Sequence, residues 1–257
     1  MLMTLSILTY NVLYNKGYEQ LDKLLIALQP DILNLQEVDT TEKNLSKLEK
    51  LGYSLADYSN SFIEIGHIYG VATYYKKNAL KLIDTKSISL YKSTYEFITN
   101  IIKIIKGKHQ SRTILKTNFE VNGTKISIFN AHLSVFGTNG LRIKQLRQAL
   151  DNYNFKTINP LIFTGDFNYP YGRKKLEKLM NSYNLKEATK NIDYTFVTDK
   201  KADYNLFQIL LSFLVKKFYN HRYKLDYIYY KNLKLVKTKR IEVNFSDHFP
   251  ILSSFQI

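Results

Sequence analysis

Apolar positions along this chain follow two rhythms in turn, an alternation of period two and a stripe of period near 3.6. Residues 5–10 (LSILTY) read as a strand. Leu21, Leu24, Leu25 and Leu28 then mark one face of a helix that stops at Pro30. Residues 31–36 return as a short, mostly apolar strand, and 41–51 supply a second helix. Three β-like stretches follow at 68–75, 80–90 and 113–119. Asn122-Gly123 is a two-residue hairpin signal that joins 113–121 to 125–129 as antiparallel neighbours. Residues 141–153 read as a helix, 161–164 as a buried strand and 173–183 as a helix; strands at 227–230, 233–243 and 250–255 follow. Helices set between strands, with a clear hairpin among them, predict a mixed-sheet α/β sandwich rather than a purely parallel sheet.

Two segments break the rhythm. Residues 94–108 (TYEFITNIIKIIKGK) and 204–219 (YNLFQILLSFLVKKFY) read as amphipathic helices with Lys at their C-terminal ends, where cations suit the helix dipole. Either they bury one face in the protein or they meet a membrane surface or a partner. No linker rich in Pro, Gly or Ser separates the elements, since only 4 Pro and 10 Gly occur. One domain over 1–257 is expected, with helical insertions near 94–108 and 203–220.

Composition narrows the class. The chain is 45% hydrophobic, enough for a substantial core. It has no Cys, which removes disulfides, thiolate metal sites and Cys nucleophiles. No apolar run reaches the roughly 18 residues of a spanning helix, and the N-terminus lacks a basic leader, so a cytoplasmic, monomeric protein is expected. The net charge is +15, from 37 Lys+Arg against 22 Asp+Glu. Arginine supplies only six of those cations (Arg112, Arg142, Arg147, Arg173, Arg222 and Arg240). The Lys, Asn, Ile and Tyr bias is what an AT-rich coding sequence produces, which halves the weight of the charge. What remains favours a polyanion or an anionic lipid surface over a cationic partner.

Reactive polar side chains fall where open α/β sheets place their sites, at the ends of predicted strands. Asn11 follows 5–10, Glu37 follows 32–36, His132 follows 126–131, and Asp166 with Asn168 follows 161–164. Asp226 opens 227–230, and Asp247-His248 precede the last strand. Each has a plain alternative: a turn-forming Asn, a solvated Glu, a structural His, a capped loop. Their joint occurrence in this order is the signal.

In that order the residues resemble the endonuclease/exonuclease/phosphatase superfamily of metal-dependent phosphodiesterases and phosphomonoesterases. The matching pieces are LTYNV (8–12), LQEVD (35–39), NAHLS (130–134), FTGDFN (163–168), LDYIY (225–229) and SDHFPI (246–251). Arg142 and Gln145 match an R-x-x-Q, and Thr195-Phe196 a TF, so the resemblance spans nearly the whole chain. It implies a four-layered α/β sandwich of two mixed β-sheets flanked by helices, with Mg²⁺ as cofactor and Mn²⁺ as its substitute. It implies Glu37 as the principal metal ligand, with Asn11 near the metal or the scissile phosphate and Asp247 supporting the metal or His248. Asp166 would orient and deprotonate the attacking water, and Asn168 would position it. His132 and His248 would meet the phosphate, Asp226 would hold one of these histidines, and Arg142 would contact substrate. The chemistry agrees: Mg²⁺ takes hard oxygen ligands and needs only one or two carboxylates. Water needs a base within hydrogen-bond reach.

The substrate is less legible. Leu13-Tyr14 and Val38-Asp39 depart from the pattern of abasic-site endonucleases. A nucleic-acid phosphodiesterase is favoured by the charge and by Tyr14, Tyr169 and Tyr171, which are placed to stack bases. A lipid or head-group phosphodiesterase is the alternative, resting on segment 204–219 beside the site. A non-catalytic module on the same fold is disfavoured by the intact Asn11, Glu37, Asp166, Asn168 and His248.

Overall fold

The computed structural model describes residues 4–64, 66–92, 109–110, 112–135, 137–197 and 222–257. The two segments read as amphipathic helices, 94–108 and 204–219, lie outside the described residues, as do the expected insertions near 94–108 and 203–220 in their entirety. Among the described residues no helix is long and apolar enough to cross a membrane.

Two large mixed sheets form the centre, as expected. The first orders β14 (Lys234–Arg240), β15 (Ile251–Gln256), β1 (Thr4–Asn11), β2 (Ile32–Asp39), β4 (His67–Tyr75), β3 (Ser54–Glu64) and β6 (His109–Gln110). The second orders β10 (Lys186–Glu187), β13 (Asp226–Lys231), β9 (Leu161–Asp166), β8 (Thr124–His132), β7 (Thr113–Val121) and β5 (Lys81–Ser89). A ribbon of β11 (Phe196–Val197) and β12 (Arg222–Tyr223) stands apart. Among the described residues only β1 with β2 and β8 with β9 run parallel. The Asn122-Gly123 turn does pair β7 with β8 antiparallel, both residues having positive φ.

Three apolar layers follow from strand alternation. Leu8, Tyr10, Leu33 and Leu35 on the outer face of the first sheet pack with Leu21, Leu24 and Leu25 of α1 (Leu21–Leu28) and Leu45 of α2 (Glu42–Leu45). Phe129 and Phe163 on the outer face of the second meet α3 (Asn139–Leu150) and α4 (Arg173–Ser182) through Leu146, Leu176 and Met180. Between the sheets lie Leu5, Ile7, Ile32, Ile126, Ile128, Ile162, Ile228 and Phe255.

Strand β3 was not foreseen. Its bulges at Leu55/Asp57 and Asn60/Phe62 break the period of two that would reveal it. The helix expected over 41–51 is one α turn continued by a 3-10 stretch, Ser46–Leu51, ending at Gly52.

The inner positions change character along each strand. β1 runs Leu5, Ile7, Thr9, Asn11; β2 runs Ile32, Asn34, Gln36; β8 runs Ile126, Ile128, Asn130, His132; β9 runs Ile162, Thr164, Asp166. Beyond the apolar floor comes a layer of bonded amides and hydroxyls. Asn34 Nδ2 donates to Thr164 Oγ1 (2.7 Å) and Asn34 Oδ1 accepts from Thr73 Oγ1 (2.8 Å). Gln36 Nε2 donates to Asn130 Oδ1 (2.7 Å), and Asn130 Nδ2 donates to the Leu35 and Ala72 carbonyls. All of these side chains are buried, so each bond lost leaves a desolvated group without a partner. Gly165 is fixed here too: with φ of 134° a Cβ would lie 2.0 Å from the Ala131 carbonyl oxygen.

Asn34→Leu is expected to cost about 2–4 kcal/mol, because it keeps volume but strands the Thr73 hydroxyl. Urea denaturation measures this; a loss below about 0.5 kcal/mol would deny the amide layer its role.

Candidate active site

Strict alternation would turn Glu37 toward α1, on the side of Leu33 and Leu35. A bulge between Gln36 and Val38, with Glu37 at φ 59°, prevents this. Val38 takes the apolar position and Glu37 turns to the end of β1, where Asn11 Nδ2 donates to its Oε1 (3.2 Å). Such a backbone costs on the order of 1–3 kcal/mol and persists only where its surroundings hold it. Here Leu13, Tyr14 and Asn15, at φ 46°, 48° and 67°, curl over it. The Tyr14 amide donates to Glu37 Oε2 (3.1 Å) and the Asn15 amide to the Glu37 carbonyl (3.0 Å).

Asp166, the last residue of β9, joins the two sheets. Its Oδ2 accepts from Asn11 Nδ2 (3.0 Å) and Asn168 Nδ2 (3.2 Å), and its Oδ1 from the Asn168 amide (2.8 Å). Asn168, at φ 49°, also donates to the Leu133 carbonyl. Burial pushes the Asp166 carboxyl up to about 7; the cation of His248 opposes that and Asp226 adds to it.

Asp226 faces Asp166 across the antiparallel β9–β13 pair. His248 Nδ1 donates to Asp226 Oδ2 (2.8 Å), which also accepts from Thr195 Oγ1 (2.6 Å). His248 Nε2 lies 3.7 Å from Asp166 Oδ2. Burial alone would lower the His248 pKa, but Asp226 and Asp166 outweigh it and raise it to about 10, so the ring is a cation at neutrality. Ser246 Oγ donates to the Asn11 carbonyl (2.8 Å) and accepts from the His248 amide (3.1 Å), tying the SDHFPI loop to β1.

His132 behaves differently. It is fully buried, and burial with the charges of Arg112 and His248 holds its pKa well below the usual range, so it is neutral. Arg112 Nη1 sits 3.1 Å from its Nδ1, and arginine only donates. The same Nη1 lies 3.4 Å from Nε2, so the guanidinium reaches both ring nitrogens, and Nε2 in turn lies 3.6 Å from Glu37 Oε1 and 3.8 Å from Asp166 Oδ2. His132 is thus a neutral ring between Glu37 and Asp166. Arg112, 5% exposed and 5.2 Å above the Phe62 ring, escaped the sequence reading. Its one signal was an arginine in a chain whose cations are nearly all lysine.

The structure thus brings together Asn11, Glu37, His132, Asp166, Asn168, Asp226 and His248. Asp247 is buried beside them and raises the Glu37 pKa, adding to the larger effect of burial. Two expected substrate contacts do not join. Arg142 donates to the Ser134 and Val135 carbonyls and to Asn139, bracing the loop after β8. Tyr169 is 1% exposed, so its ring has no free face for a base; Tyr14 and Tyr171 remain exposed.

Residues 8–248 match the sequence profile of the Endonuclease/Exonuclease/phosphatase family, and the chain belongs to that family, whose members are phosphoric ester hydrolases. Solved structures share the fold. The catalytic domain of human Nocturnin with bound sulfate aligns with a TM-score of 0.70 at 21% identity, covering 98% of this chain and 94% of that one. D. rerio TDP2 complexed with a single-strand DNA product gives 0.69 at 18% identity, covering 99% of each. An endonuclease/exonuclease/phosphatase family protein from Leptotrichia buccalis gives 0.70 at 20%, covering 98% of this chain and 100% of that one. No curated protein sequence matches at a significant level.

His248 gains proton affinity on folding. Its charge stabilises the fold fully below the unfolded value of 6.5, and that contribution is lost as pH rises through about 10. Asp166, at about 7, has largely ionised before the upper part of that window. Between about pH 7.5 and 10.5 wild-type stability is expected to fall, and Asp226→Asn should flatten the fall by removing the partner that raises His248. Urea denaturation at three pH values checks this; parallel profiles would break the pairing.

Proposed function

We propose that this chain is a divalent-metal-dependent phosphodiesterase acting on nucleic acid. The observation that carries the reading is the unbroken set of buried contacts from Glu37 through Asn11 to Asp166, and onward to His248 and Asp226. Such an arrangement offers, side by side, an anionic oxygen cluster, a base and a cation.

The donor set fits a hard metal ion. Both Glu37 oxygens accept amide N–H bonds, the residue is 8% exposed, and burial with Asp247 raises its pKa. Two crowded carboxylates of this kind are what Mg²⁺ or Mn²⁺ neutralises, with Glu37 as principal ligand and Asn11 and Asp247 beside it. When bound, the ion supplies charge neutralisation at the phosphoryl and leaving oxygens. Asp166, Asp226 and His248 also cluster within 4.8 Å. There, however, His248 Nδ1 carries a proton bonded to Asp226, which leaves that nitrogen unable to ligate.

Asp166, with a pKa near 7, is matched to take a proton from water at neutral pH. Asn168 and Asn11 fix its carboxylate, so the water attacks phosphorus along one line. A P–O bond forms to the water oxygen and the water's proton passes to Asp166, while the ester P–O bond breaks and the departing oxygen leaves with that electron pair and takes a proton from solvent. His248, cationic and held by Asp226, stabilises the charge that develops on the phosphoryl oxygens, and the neutral ring of His132 packs beside it. Nucleic acid as substrate is supported by the net charge of +15 and by exposed Tyr14, whose amide contacts Glu37. The single-strand DNA product bound by D. rerio TDP2 is consistent with it. The lipid alternative rests on 204–219, outside the described residues.

With Mg²⁺, the protein is expected to degrade single-stranded oligonucleotides and leave sphingomyelin and anionic phospholipid vesicles intact; the reverse preference would reject nucleic acid as substrate. Glu37→Gln should abolish turnover while the melting temperature holds, since it keeps shape but removes the anionic ligand. Full activity at saturating metal would exclude Glu37. Asp166→Asn should lower kcat by about 10²–10⁴-fold with little change in KM. An effect confined to KM would make Asp166 a binding residue.

A further inference from the structure

The strand ends remote from Asp166 frame a second concavity. A cleft of about 840 Å³ is lined by Lys125 at the start of β8, Pro160 before β9, Lys186, and Lys231 to Lys234 across the β13–β14 turn. Five to seven residues of strand separate these positions from Asp166 and His132, or roughly 17–24 Å at about 3.3–3.4 Å per residue. The cleft is therefore distinct from the catalytic edge.

Four lysines line it, Lys125, Lys186, Lys231 and Lys234, and no Asp or Glu side chain does. Lys125 Nζ lies 3.7 Å from Asp84, and Lys231 Nζ lies 4.9 Å from the Phe155 ring centroid. Lys186 and Lys234 are exposed and have no carboxylate partner among the described residues. Asn232 is held by its Nδ2 bond to the Ile158 carbonyl (2.9 Å), and Asn184 and Asn232 keep the flanking turns at φ 57° and 55°. The Asn232 bond thus ties the β13–β14 turn to the segment before β9 across the cleft. Several like charges around a concavity raise its potential and concentrate anions. Its volume suits a ligand of nucleotide size.

We propose that this cleft is a second anion site, which binds closely spaced phosphate groups of a polynucleotide strand or of free polyphosphate. The proposal does not rest on the catalytic reading. In EDTA, where metal-dependent hydrolysis stops, inorganic tripolyphosphate is titrated calorimetrically and a single-stranded DNA 12-mer by fluorescence anisotropy at several salt concentrations. Wild type is expected to bind tripolyphosphate, and the Lys186→Ala/Lys234→Ala double variant to bind it at least tenfold more weakly. Lys186→Arg/Lys234→Arg should retain binding. Metal-dependent hydrolysis of bis(p-nitrophenyl) phosphate and the melting temperature should be unchanged in both variants. A salt slope for DNA reduced by about 1.4 in the Ala variant, about 0.7 for each lysine, identifies a strand as the source. An unchanged DNA slope with tripolyphosphate binding lost identifies free polyphosphate. Equal tripolyphosphate affinity in wild type and the Ala variant, or no binding by wild type, overturns the proposal. Loss of bis(p-nitrophenyl) phosphate hydrolysis in wild type would count only against the catalytic reading.

Discussion

Side chains drawn from two different sheets can act together only if the sheets cannot slide past one another. Apolar contact alone does not prevent sliding, because dispersion is nearly indifferent to small shifts in register. The buried amides do. Asn34 on β2 reaches Thr164 on β9, and Gln36 on β2 reaches Asn130 on β8. Displacing either sheet by a fraction of a residue breaks these bonds where no water can replace them. Asn11 and Glu37 are thereby held against Asp166 within the 3.0–3.2 Å of their shared amide bonds.

On this frame the site divides its charges by environment. His248 and His132 are both buried within a few ångströms of Asp166, yet they differ in state. His248 has Asp226 on its Nδ1, so it stays protonated. His132 has the Arg112 guanidinium against its ring, and burial together with the charges of Arg112 and His248 keeps it neutral. One imidazole offers a full charge and the other a neutral ring, a distinction set by burial and by the charge that stands beside each.

Much of this was legible in the residues. The ordered motifs located nearly every member of the cluster; periodicity predicted a mixed-sheet α/β sandwich, and the family resemblance implied that its sheets number two. The inward series on β1, β2, β8 and β9, apolar then amide or hydroxyl then ionisable, is a further signal written at period two. It could have shown which ends of the strands converge. Two features had no such signature. The bulge at Glu37 reverses the face its spacing predicts, and β3 is hidden because its own bulges break the alternation. Arg142 and Tyr169 show a different limit: neither an R-x-x-Q match nor an aromatic beside a motif says whether the side chain meets substrate or holds a loop.

The strained backbone at Glu37 follows from the same logic. A carboxylate on the regular face of β2 would lie among Leu33, Leu35 and Val38, where burial would simply protonate it. Carrying it to the sheet edge requires one residue outside the ladder, and the loop at 13–15 supplies N–H groups to hold it. The cost of the left-handed φ values is recovered from the packed strands on either side, so the fold can keep a partly desolvated anion where an apolar face would otherwise continue. The polar end of the sandwich is therefore not a loss of core packing. It is where the inter-sheet layer stops excluding charge and begins to arrange it.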